Sequence, residues 1–199
     1  MSCQRCGTCC RKSGPTLRMQ DRALVHSGDI PVGDLVCVRR GELAWDPRSN
    51  ALLPVSQEML KIRGQGEGWT CLYYDPGRRA CARYAVRPVE CRVLSCQDPG
   101  PLLAVMDEPP LSRDALYPPK SALALVVAEH EASYPAGQAV EWAQDSTTLA
   151  LAHDLARREA HFRAALAERL AVDDVCLWPY LGRPLAQIVD AVRQMSGVC

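Results

Sequence analysis

Cys3-Gln4-Arg5-Cys6-Gly7-Thr8-Cys9-Cys10, and far downstream Cys81-Ala82-Arg83-Tyr84-Ala85-Val86-Arg87-Pro88-Val89-Glu90-Cys91-Arg92-Val93-Leu94-Ser95-Cys96, decide how this chain is read. Together with Cys71 they put eight of its 11 cysteines into two blocks. Cysteines three apart in a tight turn converge on one point with little chain to order, which is what a metal thiolate site needs. Cys3, Cys6 and Cys9 meet that condition. Gly7 can take a positive φ and wrap the backbone around an ion or cluster. Cys10 adjoins a ligand, so it is expected to serve a second metal or to bridge two. A vicinal disulfide between Cys9 and Cys10 would be strained, because neighbouring Cα atoms lie only ~3.8 Å apart.

Composition narrows the surroundings. The 199 residues carry 23 basic and 23 acidic side chains, so no net field would hold the protein on nucleic acid or an anionic membrane. The longest apolar run, Ala122 to Ala128, is far short of a membrane span, and the first residues do not read as a signal peptide. A cytoplasmic location is expected. Clustered cysteines in that reducing compartment, odd in total, favour metal or redox chemistry over a disulfide scaffold.

Three segments follow from the pattern: a cysteine-cluster metal-binding module over 1–98, a Pro-rich connection over 99–119, and a helical region over 120–199. The fold class expected is mostly α with small β-hairpins, an irregular cysteine-rich module joined to a helical C-terminal half. Within the module, Asp21–His26 reads as a short helix closed by Gly28, and Glu42–Trp45 with Ala51–Val55 as a hairpin about Asp46–Asn50. Trp69–Tyr74 and Arg79–Tyr84 suggest a second hairpin that would set Cys71 across from Cys81. Pro88 suits the first turn of a helix through Cys91. The prolines from Asp98 to Pro119 predict an extended surface segment.

In the second half the spacing predicts a helix over Ser146–Ala171, capped by Asp145 or Ser146, with Leu151, Leu155, Phe162, Leu166 and Leu170 on one stripe. A last helix from Pro184 should bury Leu185, Ile188, Val189, Val192 and Met195. His153, Arg157 and His161 read as a solvated face, and so do Glu129, His130 and Glu131. Cys37 and Cys176 read as buried small apolar residues, and Cys199 as a terminal thiol. Trp178–Pro184 places aromatics and a glycine before a helix start, which could hold a small anion but is also ordinary architecture.

Eight thiolates make two four-coordinate sites, each with a charge near minus two whether zinc tetrathiolate or cubane cluster. Metal ligands are therefore expected at Cys3, Cys6, Cys9, Cys10, Cys71, Cys81, Cys91 and Cys96. Arginines in and beside the motifs can offset that charge, Arg87 and Arg92 foremost as groups behind the ligands. Zinc ribbons use separated CxxC pairs, whereas the second block is spaced by nine, nine and four intervening residues. CxxCxxC with a remote cysteine is closer to cubane ligation, which favours at least one [4Fe–4S] cluster over an all-zinc protein.

CxxCGxCC near the start, a cysteine after an aromatic, and CxxYxxRPxxCRxxxC resemble the YkgJ-type cysteine cluster proteins, a family of zinc- or iron-chelating domains. Cys81, Tyr84, Arg87, Pro88, Cys91, Arg92 and Cys96 stand where that pattern asks, over about residues 1–98. Flagellin lysine methylases carry a similar cysteine pattern and are iron–sulfur proteins, a likeness that speaks for iron. The resemblance implies a metal-binding module and names no reaction. Three functions are then expected in turn: a redox or cluster-dependent protein, a zinc-stabilised module presenting its helical half to a protein partner, and a cluster-dependent protein-modifying enzyme such as a lysine methylase. No Rossmann, P-loop, zincin or nucleophile-elbow motif is present.

Overall fold

The structure is a computed structural model that describes residues 6–66 and 68–195. The chain divides into two compact units, one of residues 1–36 and 59–115, the other of residues 37–58 and 116–199. Strand Leu35–Val38, buried along its whole length, runs through the first division.

The first unit contains α1 (Thr8–Lys12), α2 (Arg22–His26), α3 (Val89–Val93) and α4 (Gly100–Met106). Leu17, Ile30, Leu35, Leu60, Ile62 and Leu111 are its most deeply buried apolar side chains. Three segments remote in sequence are laced by backbone hydrogen bonds in a ring. Leu17 donates to Leu60, Leu60 to Leu111 and Leu111 back to Leu17, each at 2.8 Å. Ile62 N–H also donates to Pro15 at 3.0 Å, so the stretch following the N-terminal cysteines is fastened to a buried strand.

Two expectations for this unit are corrected. The hairpin read over Trp69–Tyr74 and Arg79–Tyr84 is two separate pairings, Gly64–Gln65 with Thr70–Cys71 and Tyr74–Asp75 with Ala80–Cys81. Cys71 therefore lies opposite Gly64 and Cys81 opposite Tyr74. The Asp75 side chain accepts from Arg78 N–H and tightens the turn, leaving only two residues of ladder on each side. The segment after Asp98 is not extended throughout, because α4 forms there with Pro99 as its cap and Pro101 in its first turn. Proline's missing N–H costs nothing at a position that has no helical acceptor.

The second unit contains α5 (Ala122–Ser133), α6 (Ala136–Gln144), α7 (Leu149–Leu170), α8 (Trp178–Leu181) and α9 (Leu185–Met195). Helices α6, α7 and α9 enclose a core of Ala136, Ala139, Val140, Ala143, Ala152, Leu155, Ala156, Leu185, Ile188, Val189 and Val192. Small residues on α6 and α7 let the helix axes approach while α9 supplies the branched side chains. The hairpin Leu43–Asp46 with Ala51–Pro54 forms in the expected place, with Trp45 opposite Leu52. No helix of the described residues is long and apolar enough to cross a membrane.

On α9 the expected residues are buried except Met195, which is half exposed at the helix end. On α7 the stripe differs. Leu151 and Leu170 are about half exposed, and the buried side runs Ala152, Leu155, Ala156, Glu159, Arg163. The helix also begins at Leu149, three residues later than expected, since the Asp145 carboxylate accepts from Thr147 N–H and stabilises a turn there instead.

His130 is corrected too: it is completely buried, with Nε2 3.0 Å from Glu159 Oε1. A carboxylate can only accept, so Nε2 carries the proton of the neutral ring. Arg163 Nη1 donates to the same oxygen at 3.2 Å, and Leu185 N–H donates to Glu159 Oε2 at 2.8 Å. That last bond fills the start of α9 with a protein carboxylate, so the anion site considered at Trp178–Pro184 is taken by Glu159. Cys37 is buried as expected, whereas Cys176 is exposed on a 3-10 turn. His153, Arg157 and His161 are exposed. Cys199 lies outside the described residues.

Candidate metal centre

The first unit contains a partly open cavity of about 550 Å3, and its wall includes Cys6, Cys9, Cys10, Cys71, Cys81, Cys91 and Cys96. These are seven of the eight cysteines singled out by spacing. The eighth, Cys3, lies outside the described residues. The seven arrive on several local devices: Cys6 on the stretch before α1, Cys9 and Cys10 on α1, Cys71 and Cys81 on the two short ladders, Cys91 on α3, and Cys96 on the bend beyond it.

Gly7 shows why the first block needs a glycine. It precedes α1 with φ 73°, and a Cβ there would run into the hydroxyl and ring of Tyr74. Tyr74 is buried and cannot swing aside, and its hydroxyl accepts from Arg11 Nη1 at 3.3 Å. Gly7→Ala should therefore cost the left-handed backbone penalty of about 1–2 kcal/mol and a steric term on top. Gly66 has φ 67° but open space around it, so Gly66→Ala should cost the backbone part alone. Thermal unfolding of the two variants measures the difference; equal losses would show that Tyr74 does not wall the turn.

The second block carries its own internal logic. Arg87 lies over the Tyr84 ring, 3.6 Å from its centroid, and its Nε donates to Tyr84 O at 3.0 Å. YxxRP is thus a stacked pair that presents Pro88 as the cap of α3. Arg79, Arg83 and Arg87 all reach the cavity wall. Arg92 does not: its Nη1 donates to Arg87 O at 3.0 Å and its Nη2 lies 4.0 Å from Asp21 Oδ1. Glu90 pairs with Arg18 at 2.7 Å.

The thiols differ in acidity for identifiable reasons. A hydrogen bond from Cys10 lowers the Cys9 thiol to about 6, and Cys10 is correspondingly raised by holding that proton. Their Sγ atoms are 3.9 Å apart, well beyond bonding distance. Hydrogen bonds from Thr8 lower Cys6. Burial pushes Cys71 up to about 11 and raises Cys91 further, with the neighbouring sulfurs Cys71, Cys81 and Cys9 adding repulsion. Mutual repulsion of this kind is what a shared cation relieves.

Among the described residues, no three His, Cys, Asp or Glu side chains are drawn tightly enough together to hold one ion. The donor set nevertheless suits thiophilic metal: the cysteines named above with no histidine on the wall, guanidinium groups beside them, and a buried floor. Sequence reasoning missed Tyr73, whose hydroxyl donates to Asp34 at 2.8 Å, and Tyr74, both of which line the cavity. The adjacent aromatics two residues after Cys71 were the available signal.

A family model for CxxCxxCC, described as a putative zinc- or iron-chelating domain, matches residues 2–104. No curated protein and no solved structure matches the chain.

Proposed function

Since the chain belongs to the CxxCxxCC family of zinc- or iron-chelating domains, we propose that its first unit holds an iron–sulfur cluster, [4Fe–4S] in type, through thiolates of the eight cysteines, and serves a redox or cluster-dependent role in the cytoplasm. The observation that carries this is the gathering of Cys6, Cys9, Cys10, Cys71, Cys81, Cys91 and Cys96 on one cavity. Cys3, three residues before Cys6 in the sequence, is the eighth thiolate of the proposal. The absence of a CxxC pair in the second block favours a cluster over two zinc tetrathiolates.

A bound cluster supplies one-electron chemistry; the chain's own residues bind and tune it. Arg79, Arg83 and Arg87 face the thiolates with charge that cannot be lost at working pH. Tyr73 and Tyr74 limit water on the buried side. Cys71 and Cys91 hold their protons in the absence of a cation, so uptake releases protons and strengthens as pH rises.

Iron, zinc and acid-labile sulfide measured on anaerobically prepared protein test the proposal. A brown protein with iron and sulfide in equal amounts is expected. Zinc without sulfide would overturn the cluster and leave the second reading, a zinc-stabilised interaction module. That reading draws on Trp45, Leu52 and Leu53, which stand 40–56% exposed on the hairpin of the second unit.

A further inference from the structure

On the footing that the cavity holds metal, we propose that Arg18, Asp21 and Glu90 form a buried clamp that sets the position of Cys91, so that metal affinity depends on Arg18 and Asp21, two side chains outside the cysteine motifs. Helix α3 has five residues, too few to persist by its own hydrogen bonds. Its placement is fixed from outside, at three of the residues around Cys91.

Asp21 is completely buried and spends both carboxylate oxygens on backbone N–H groups. Oδ1 accepts from Val89, the first residue of α3, at 2.8 Å, and Oδ2 accepts from Arg18 at 3.0 Å. Glu90, adjacent to the cysteine, accepts from Thr16 N–H on Oε2 at 2.8 Å and from Arg18 Nε and Nη2 on Oε1 at 2.9 and 2.7 Å. The remaining nitrogen of Arg18, Nη1, donates to Glu108 O at 2.8 Å and to Met106 O at 3.4 Å, at the end of α4. Arg92, one residue past the cysteine, closes the set from the other side through Arg87 O and Asp21.

Thr16 and Arg18 lie six and eight residues after Cys10, whereas Glu90 and Val89 precede Cys91. The clamp therefore joins the two blocks by a second route that bypasses the metal. Neither Arg18 nor Asp21 reaches the cavity wall. A buried ion pair is a weak source of net stability, since apolar side chains of equal volume would do as well. What the guanidinium fork supplies is direction: two donors on one carboxylate and a third on α4 allow α3 one rotation about its axis, the one that turns Cys91 to the cavity. Glu90 also lines the cavity, whereas Arg18 and Asp21 are positioning residues that act on the metal through Glu90 and Cys91.

The test uses cobalt(II) as probe, bound to the full chain under anaerobic conditions, with affinity read by chelator competition and thiolate ligation read from the absorption bands. Arg18→Lys and Glu90→Gln keep side-chain size while removing the fork or the charge. Each should bind cobalt about 10–100-fold more weakly, the usual loss when a partner behind a ligand is removed, and should shift the ligand-field bands. Arg157→Ala, on the exposed face of α7, should leave both unchanged. Asp21→Asn should resemble the first two; if it does not fold, Arg18→Lys and Glu90→Gln decide. Wild-type affinity and bands in those two variants would overturn the clamp, as would a lowered melting temperature with the bands in place, which marks a merely structural role. A wild-type protein that takes up no cobalt through thiolates would overturn the metal-holding reading itself.

Discussion

Complete removal of metal should collapse the cavity wall of the first unit and leave the helices of the second standing. Apart from the clamp on α3, the wall has little to hold it. Helix α1 buries no side chain, the ladders that carry Cys71 and Cys81 are two residues long on each strand, and α3 has five residues. Isolated two-stranded pairings of that length are not stable in water. Ligation by four thiolates supplies about 10 kcal/mol or more per zinc site, comparable to the ~5–15 kcal/mol that stabilises a typical whole domain. After chelation, proteolysis and hydrogen exchange should rise sharply over residues 6–14 and 70–98. Circular dichroism from α5, α6, α7 and α9 should persist, because their core is apolar and owes nothing to the cysteines. Full protection of residues 70–98 in metal-depleted protein would contradict this account.

Glu159→Ala should be the most damaging single change in the second unit, with a loss of about 3–5 kcal/mol in thermal or denaturant unfolding, the usual result of removing the shared partner of a buried charged network. The carboxylate is fully buried and serves His130, Arg163 and the start of α9 together, with Arg39 Nη1 3.9 Å away. Burial alone would raise the Glu159 carboxyl, yet the hydrogen bond from His130 and the Arg163 guanidinium hold it below its ordinary range. His130 is depressed, chiefly by burial.

Both shifts act in the same direction with pH. The unfolded chain binds a proton at His130 below about pH 6.5 that the folded ring resists, so stability falls as pH drops through that value. The Glu159 contribution is present above the unfolded carboxyl value of about 4.3 and fades below it. Wild-type protein should thus lose stability on acidification from about pH 6.5 downward, and a His130→Phe variant should lose less over pH 5–6.5. A change within ~0.5 kcal/mol for Glu159→Ala, or identical pH profiles for the two proteins, would show that this network does not carry the unit.

What the amino-acid sequence determined by itself is the chemistry and the local elements. The cysteine spacing, the Asp46–Asn50 turn between its strands, the proline that caps α3 and the apolar face of α9 are all set by residues within a few positions of one another, where period and turn chemistry act directly. Tertiary structure alone decided whatever depends on partners remote in the chain. Glu159 and Arg163 continue the Ala152–Leu155–Ala156 side of α7, but charged side chains are solvated unless something distant pairs with them, and His130 and Asp174 lie 29 and 11 residues away. Leu151 and Leu170 fell off the buried side because repeated steps of four and seven drift around a 3.6-residue helix. Residues 37–58 group with the helices rather than with the cysteines they follow, a matter of which core the hairpin meets. The convergence of Cys71, Cys81 and Cys91 on the N-terminal block also depends on long-range bonds, Leu17 to Leu60 to Leu111 and Arg18 to Glu90, which join segments that no local pattern connects.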